Sequence, residues 1–145
     1  MSVRIPHNAW VVVCDGRKAL FLRNEGDEVY PNLKTERVED GPHDRHAADL
    51  GTDRPGRLQQ VGAPRSAVEE TDFHAEAERR FAEETMRIAE TLPTEHGLVL
   101  VAPPKTLAAL RGRMSPGLRQ AVIAEIDKDL TRHPVPEIER LLTAS

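Results

Sequence analysis

The 145-residue chain has a single cysteine, Cys14, so no internal disulfide can form and a reducing compartment is the expected setting. Aromatic residues make up only 3% of it. None falls between Pro103 and Gln120, which argues against sequence-specific recognition of single strands by base stacking there. No apolar run approaches the roughly 18 residues needed to cross a bilayer. The opening MSVRIPHNAW shows no basic-then-apolar export pattern. A cytoplasmic protein with no membrane partner is therefore expected. Charge of one sign is also lacking. Against 24 Asp and Glu stand 20 Lys and Arg, a net charge of -4, so the chain is not basic all over and no DNA partner is expected. Any nucleic-acid contact must rest on local charge. There is no internal repeat, no low-complexity tract and no catalytic signature, and no cofactor is expected.

What is present organises into one α/β domain, a size at which about two-thirds of the chain's surface is buried. Ala9 to Cys14 (AWVVVC) is an unbroken apolar run, β-branched and aromatic, which reads as a strand buried on both faces. Asp15-Gly16 follows and predicts a type I′ hairpin turn with positive φ at both residues. Arg17 to Arg23 returns as a second strand. After the turn at Asn24 to Asp27, Leu33 to Glu39 (LKTERVE) forms a third, whose charges suit a sheet edge. Thr71 or Asp72 is expected to cap a helix reaching about Leu92, with Phe73, Ala77, Phe81, Ile88 and Leu92 on its buried face. Its other face alternates Glu and Arg at helical spacing and reads as solvated.

Leu98 to Ala102 (LVLVA) is a second interior strand. Pro103 and Pro104 open a helix carrying Leu107, Leu110 and Met114, which Ser115-Pro116-Gly117 breaks. Ala121 to Asp127 fits either period and is read as a fifth strand. Val135 or Pro136 to Leu142 is the last helix. The order β-β-β-α-β-α-β-α, with right-handed crossovers, gives a five-stranded mixed sheet in the order 3-2-1-4-5 with three main helices. The two apolar runs then become neighbours at its centre.

Between strand 3 and the first long helix, residues 41 to 70 are read as loop, with a short helix possible at His46 to Leu50. Its middle, GTDRPGRLQQVGAPR, holds three glycines, two prolines, three arginines and one carboxylate. Loops this long inside compact domains are functional or disordered.

This order resembles the bacterial family called "protein required for attachment to host cells". The resemblance is carried by Trp10 to Gly16 (WVVVCDG), by His46, Asp49-Leu50 and Asp53-Arg54-Pro55-Gly56-Arg57, and by Phe81-Ala82. It continues through Leu98 to Pro104 (LVLVAPP), Leu107, Leu110-Arg111 and Lys128-Asp129-Leu130-Thr131. The family is in turn distantly similar to the middle domain of archaeal and eukaryotic peptide-chain release factors. That likeness implies a ribonuclease-H-like sheet order, with the loop after strand 3 reaching the peptidyl-tRNA ester through Gly-Gly-Gln. Here the chain departs from the pattern: Gln59-Gln60 precede Gly62, with Val61 between. Gln59 and Gln60 are the catalytic candidates that the resemblance leaves.

Two segments are locally positive. Arg54, Arg57 and Arg65 stand in the loop, where glycine backbone and arginine forks suit phosphate oxygens. Lys105, Arg111, Arg113 and Arg119 occur with no carboxylate from Pro103 to Gln120. The two segments are expected to meet at one sheet rim and form an anion- or RNA-binding surface. The bland reading is a DRPGR staple held by Asp49 and Asp53, plus scattered surface arginines. His43, His46 and Asp49 carry metal-ligand chemistry at a weak spacing, and no metal site is expected. Asp15 is accounted for by its hairpin, Cys14 by core packing, and His74 as a boundary residue. The function expected is a non-enzymatic binding domain whose partner is tRNA, the ribosome or another RNA-containing assembly. The alternatives are a release-factor-like peptidyl-tRNA ester hydrolase and a regulatory domain that binds proteins only.

Overall fold

A computed structural model of the chain describes residues 3–41 and 67–143, with the backbone alone for 67–74. Five strands form one sheet in the order β3-β2-β1-β4-β5. They are β1 (Trp10–Cys14), β2 (Lys18–Asn24), β3 (Leu33–Asp40), β4 (Leu98–Ala102) and β5 (Val122–Asp127). β1, β2 and β3 are antiparallel neighbours, and β4 and β5 add in parallel to β1. WVVVC and LVLVA pair from Trp10↔Leu98 to Val13↔Val101, and every residue of both strands is buried. The unbroken apolar character of these runs follows from that position, since each has helices or chain against both faces.

Among the described residues four α-helices cover the sheet, where the sequence pattern gives three main ones over the same stretch. α1 (Ala67–Ala89), α2 (Pro104–Arg111) and α3 (Pro116–Ala121) lie on the face that carries Val12, Cys14, Phe21 and Leu100, and Phe81, Met86, Leu107, Leu110 and Leu118 fill that core. α4 (Val135–Thr143) covers the other face, where Ile138 and Leu142 meet Val11, Val13, Val99 and Val101.

Three local expectations change. α1 begins at Ala67, ahead of Thr71 and Asp72, and ends at Ala89. Beyond Ala89, Thr91 and Leu92 N–H bond to the carbonyls of Ile88 and Ala89, tightening the last turn before Pro93. Ser115-Pro116-Gly117 opens a helix as well as ending one. Ser115 Oγ accepts from Leu118 N–H (3.1 Å), and proline occupies the first helical position, where its missing N–H costs nothing. The helix and strand periods that competed over 118–127 are both present, as α3 followed by β5. The hairpin after β1 is also built differently. Positive φ is confined to Asn8 and Gly97 among the described residues. Asp15 Oδ1 instead accepts from Arg17 N–H (2.7 Å) and Lys18 N–H (2.8 Å), so a side chain closes the turn.

Candidate anion-binding rim

The carboxyl ends of β1, β4 and β5 lie along one edge of the sheet, where the chain leaves β3 at Gly41. Asp15 organises this rim. Its Oδ1 holds the β1–β2 turn, and its Oδ2 accepts from the buried Thr131 hydroxyl (2.9 Å) in the segment after β5. The same hydroxyl lies 3.2 Å from Asp129 Oδ1. Two stretches far apart in sequence, WVVVCDG and KDLT, are thereby tied together. With both its oxygens accepting hydrogen bonds, Asp15 is a structural carboxylate. Among the described residues no group of three or more His, Cys, Asp or Glu could hold a metal.

A cleft of about 700 Å³ opens beside this bond on the α4 side, lined by Asp15, Arg17, Lys18, Thr131, Arg132 and His133, with Leu20 and Val135 also on its wall. Arg17, Lys18 and Arg132 have no ion-pair partner among the described residues. His133 Nδ1 is 3.5 Å from Glu137. The first turn of α4 begins at the cleft wall and turns the positive end of the helix dipole toward it, while Glu137 and Ile138 N–H are already bonded to the Pro134 carbonyl. The arrangement can bind an anion. The hydroxyl on its wall, Thr131, is engaged by Asp15 and Asp129. The Cys14 thiol is held up to about 12, chiefly by burial and secondly by the nearby Asp15 charge, so it stays protonated.

The basic residues expected from the sequence do not all reach this rim. Lys105, at the start of α2, stays near it but on the other face of the sheet. It shares a shallow pocket with Glu78 and Arg79, and Glu78 packs over Gly16 of the turn. α2 carries the rest away. Arg111 Nε donates to Glu125 (2.6 Å) halfway along β5, and Arg119 donates to the Arg111 carbonyl (2.8 Å). Arg113 Nε lies 3.5 Å from Glu83 on α1 without a hydrogen bond. Arg54, Arg57, Arg65, Gln59, Gln60, His43, His46 and Asp49 lie outside the described residues, as does the side chain of His74. Nothing in the sequence by itself singles out Arg17, Lys18, Arg132 and His133. The only signal was the pairing of WVVVCDG with KDLT as motif pieces, which gives no hint that they touch.

Sheet order and rim together define a mixed α/β domain with a cationic cleft at the carboxyl ends of its parallel strands. The family described as "Protein required for attachment to host cells" matches residues 10–142, and the chain belongs to that family. It is also similar to an uncharacterized protein of Rickettsia prowazekii (strain Madrid E), RP470, with 30% identity over 91 residues. That stretch covers 62% of this chain and 58% of the relative's length. No helix among the described residues is long and apolar enough to cross a membrane.

Proposed function

We propose that this domain is a non-enzymatic, cytoplasmic binding module that takes the phosphate backbone of RNA, in tRNA or the ribosome, at its carboxyl-end rim. The observation that carries this reading is the group of Arg17, Lys18 and Arg132 around one cleft, without ion-pair partners among the described residues. Cations left unpaired about a concavity raise the local concentration of polyanions. The resemblance to release-factor middle domains read from the sequence makes tRNA and ribosomes the RNA to test. Arg54, Arg57 and Arg65, outside the described residues, are counted with this surface on the sequence alone. A role in attachment to host cells is then indirect, through the synthesis of other proteins.

Co-sedimentation with ribosomes and retention of tRNA test the proposal. Retention is expected to fall steeply with salt. Arg17→Ala, Lys18→Ala and Arg132→Ala should each lower it at every RNA sequence, and each should remove about one unit from the log–log salt slope. A protein that ignores RNA at low salt binds proteins only, and the reading fails. The same preparation tests ester hydrolysis: release of labelled peptide from peptidyl-tRNA, abolished by changing Gln59 and Gln60, would make the domain an enzyme.

A further inference from the structure

β3 is an outer strand of the sheet, and beyond Leu33 all of it is exposed or half-buried. Backbone bonds at its two ends fix which groups face outward. Asn24, paired with Leu33, gives its N–H and C=O to the β1 side, and Leu33 N–H donates away from β2 to Glu139 of α4 (2.8 Å). At the other end Gly41 N–H donates inward to the Arg17 carbonyl. In a regular strand, residues an even number apart point the same way. Leu33 and Gly41 point opposite ways, because the register shifts between Phe21 and Leu22 and leaves Glu36 as an unpaired extra residue. Thr35 and Val38 therefore both aim their N–H and C=O groups away from β2.

A regular strand that pairs with its own copy needs a residue on the two-fold axis. With this bulge the axis can fall between Glu36 and Arg37. In LKTERVED that register sets Thr35 against Val38 of the second copy and Val38 against Thr35, so the outward N–H and C=O groups of these two residues exchange hydrogen bonds. It also sets Lys34 against Glu39 and Glu36 against Arg37, each twice, so every one of these charges meets its opposite. The faces agree as well. Arg37 and Glu39 lie opposite Phe21 and Ala19, on the α1 side, whereas Thr35 and Val38 lie opposite Leu22 and Leu20, on the α4 side. Val38, 46% exposed, would gain cover from the copy's Thr35 and Val38. Within the chain Arg37 already meets Glu39 (2.7 Å) and Arg23 meets Glu36 (3.7 Å), so the new pairs extend existing ones.

We propose that the protein self-associates as a two-fold dimer through β3, the two five-stranded sheets joining edge to edge. Charges on an edge strand usually guard against such pairing. Here their order makes one register with an identical strand favourable.

Sedimentation velocity of the full chain at rising concentration and low salt tests this. The protein should shift from monomer to dimer, and added salt should weaken the shift. Arg37→Glu, which sets two acids against each other twice, should remain monomeric where the unaltered protein dimerises. So should Val38→Pro, which removes an outward N–H that the β2 ladder does not use and so leaves the far-UV circular dichroism unchanged. Combining Glu36→Arg with Arg37→Glu restores opposite signs across the axis and should recover dimer. A chain monomeric at every concentration, a dimer that survives Val38→Pro, or a double swap as monomeric as Arg37→Glu would each overturn the proposal.

Discussion

The turn between β2 and β3 and the rim at the carboxyl ends of β1, β4 and β5 stand at opposite ends of the sheet, and they treat polar groups differently. In the turn, Asn24 is fully buried. Its amide lies 2.8, 3.2 and 3.3 Å from the carbonyls of Ile5, Pro6 and Asp27. Its Oδ1 accepts from Gly26 N–H (2.9 Å) and Asn32 N–H (2.8 Å). Asp27 Oδ1 closes the tip on Val29 and Tyr30 N–H. A Cβ on Gly26 would lie 2.1 Å from the Tyr30 carbonyl oxygen, so only glycine fits. At the rim, one carboxylate is equally committed, but the cations around it are not. A region that satisfies its own donors fixes shape. A region that leaves charged donors around a cleft keeps them available to a ligand.

Breaking the turn should have the largest effect. Asn24→Ala removes both halves of the hub and leaves buried backbone groups unpaired. A loss of about 3 kcal/mol is expected, read as a lower midpoint in urea unfolding at unchanged slope. A loss below about 1 kcal/mol would show that water replaces the amide, and the contrast between the two ends would weaken.

Thr131→Val comes next. It keeps the volume and removes one hydroxyl donor to the Asp15 carboxylate. Hydrogen bonds to charged groups contribute about 1.5–3 kcal/mol, and the low end is expected because Asp15 keeps its two backbone donors. This variant should also weaken anion retention, since it frees the segment that carries Arg132 and His133. Stability lost with retention unchanged would separate the bond from the cleft.

The order of legibility follows the same contrast. AWVVVC and LVLVA announce central strands because burial on both faces leaves no polar position to disguise the period. In the sequence Asn24 reads as ordinary turn chemistry. Its five contacts come from residues 5, 6, 26, 27 and 32, and a local window does not show that the N-terminal segment returns there. The stretch from Pro103 to Gln120 reads as basic because it contains no acid. Its partners come instead from Glu83 on α1 and Glu125 on β5. Arg17, Lys18 and Arg132 look like isolated charges along the chain, and only the sheet order gathers them. The type I′ expectation failed for a related reason: an aspartate side chain does in this hairpin what glycine φ was expected to do.

The smallest effects on stability are expected from the basic residues themselves, and they sharpen the comparison most. Arg111→Ala removes an ion pair whose arginine side chain is 53% exposed. Such pairs contribute about 0.2–1 kcal/mol, so a slight loss of stability is expected and no loss of RNA retention. Arg132→Ala removes a side chain with no ion-pair partner among the described residues, so stability should stay within about 0.5 kcal/mol while retention falls. The two variants make the same change in net charge. A nonspecific response to net charge would lower retention equally in both. Only a rim-specific site separates them, because Arg111 is already neutralised by Glu125 in the middle of β5 while Arg132 faces the cleft. Equal retention by the two variants would return the Arg17–Lys18–Arg132 group to ordinary surface charge.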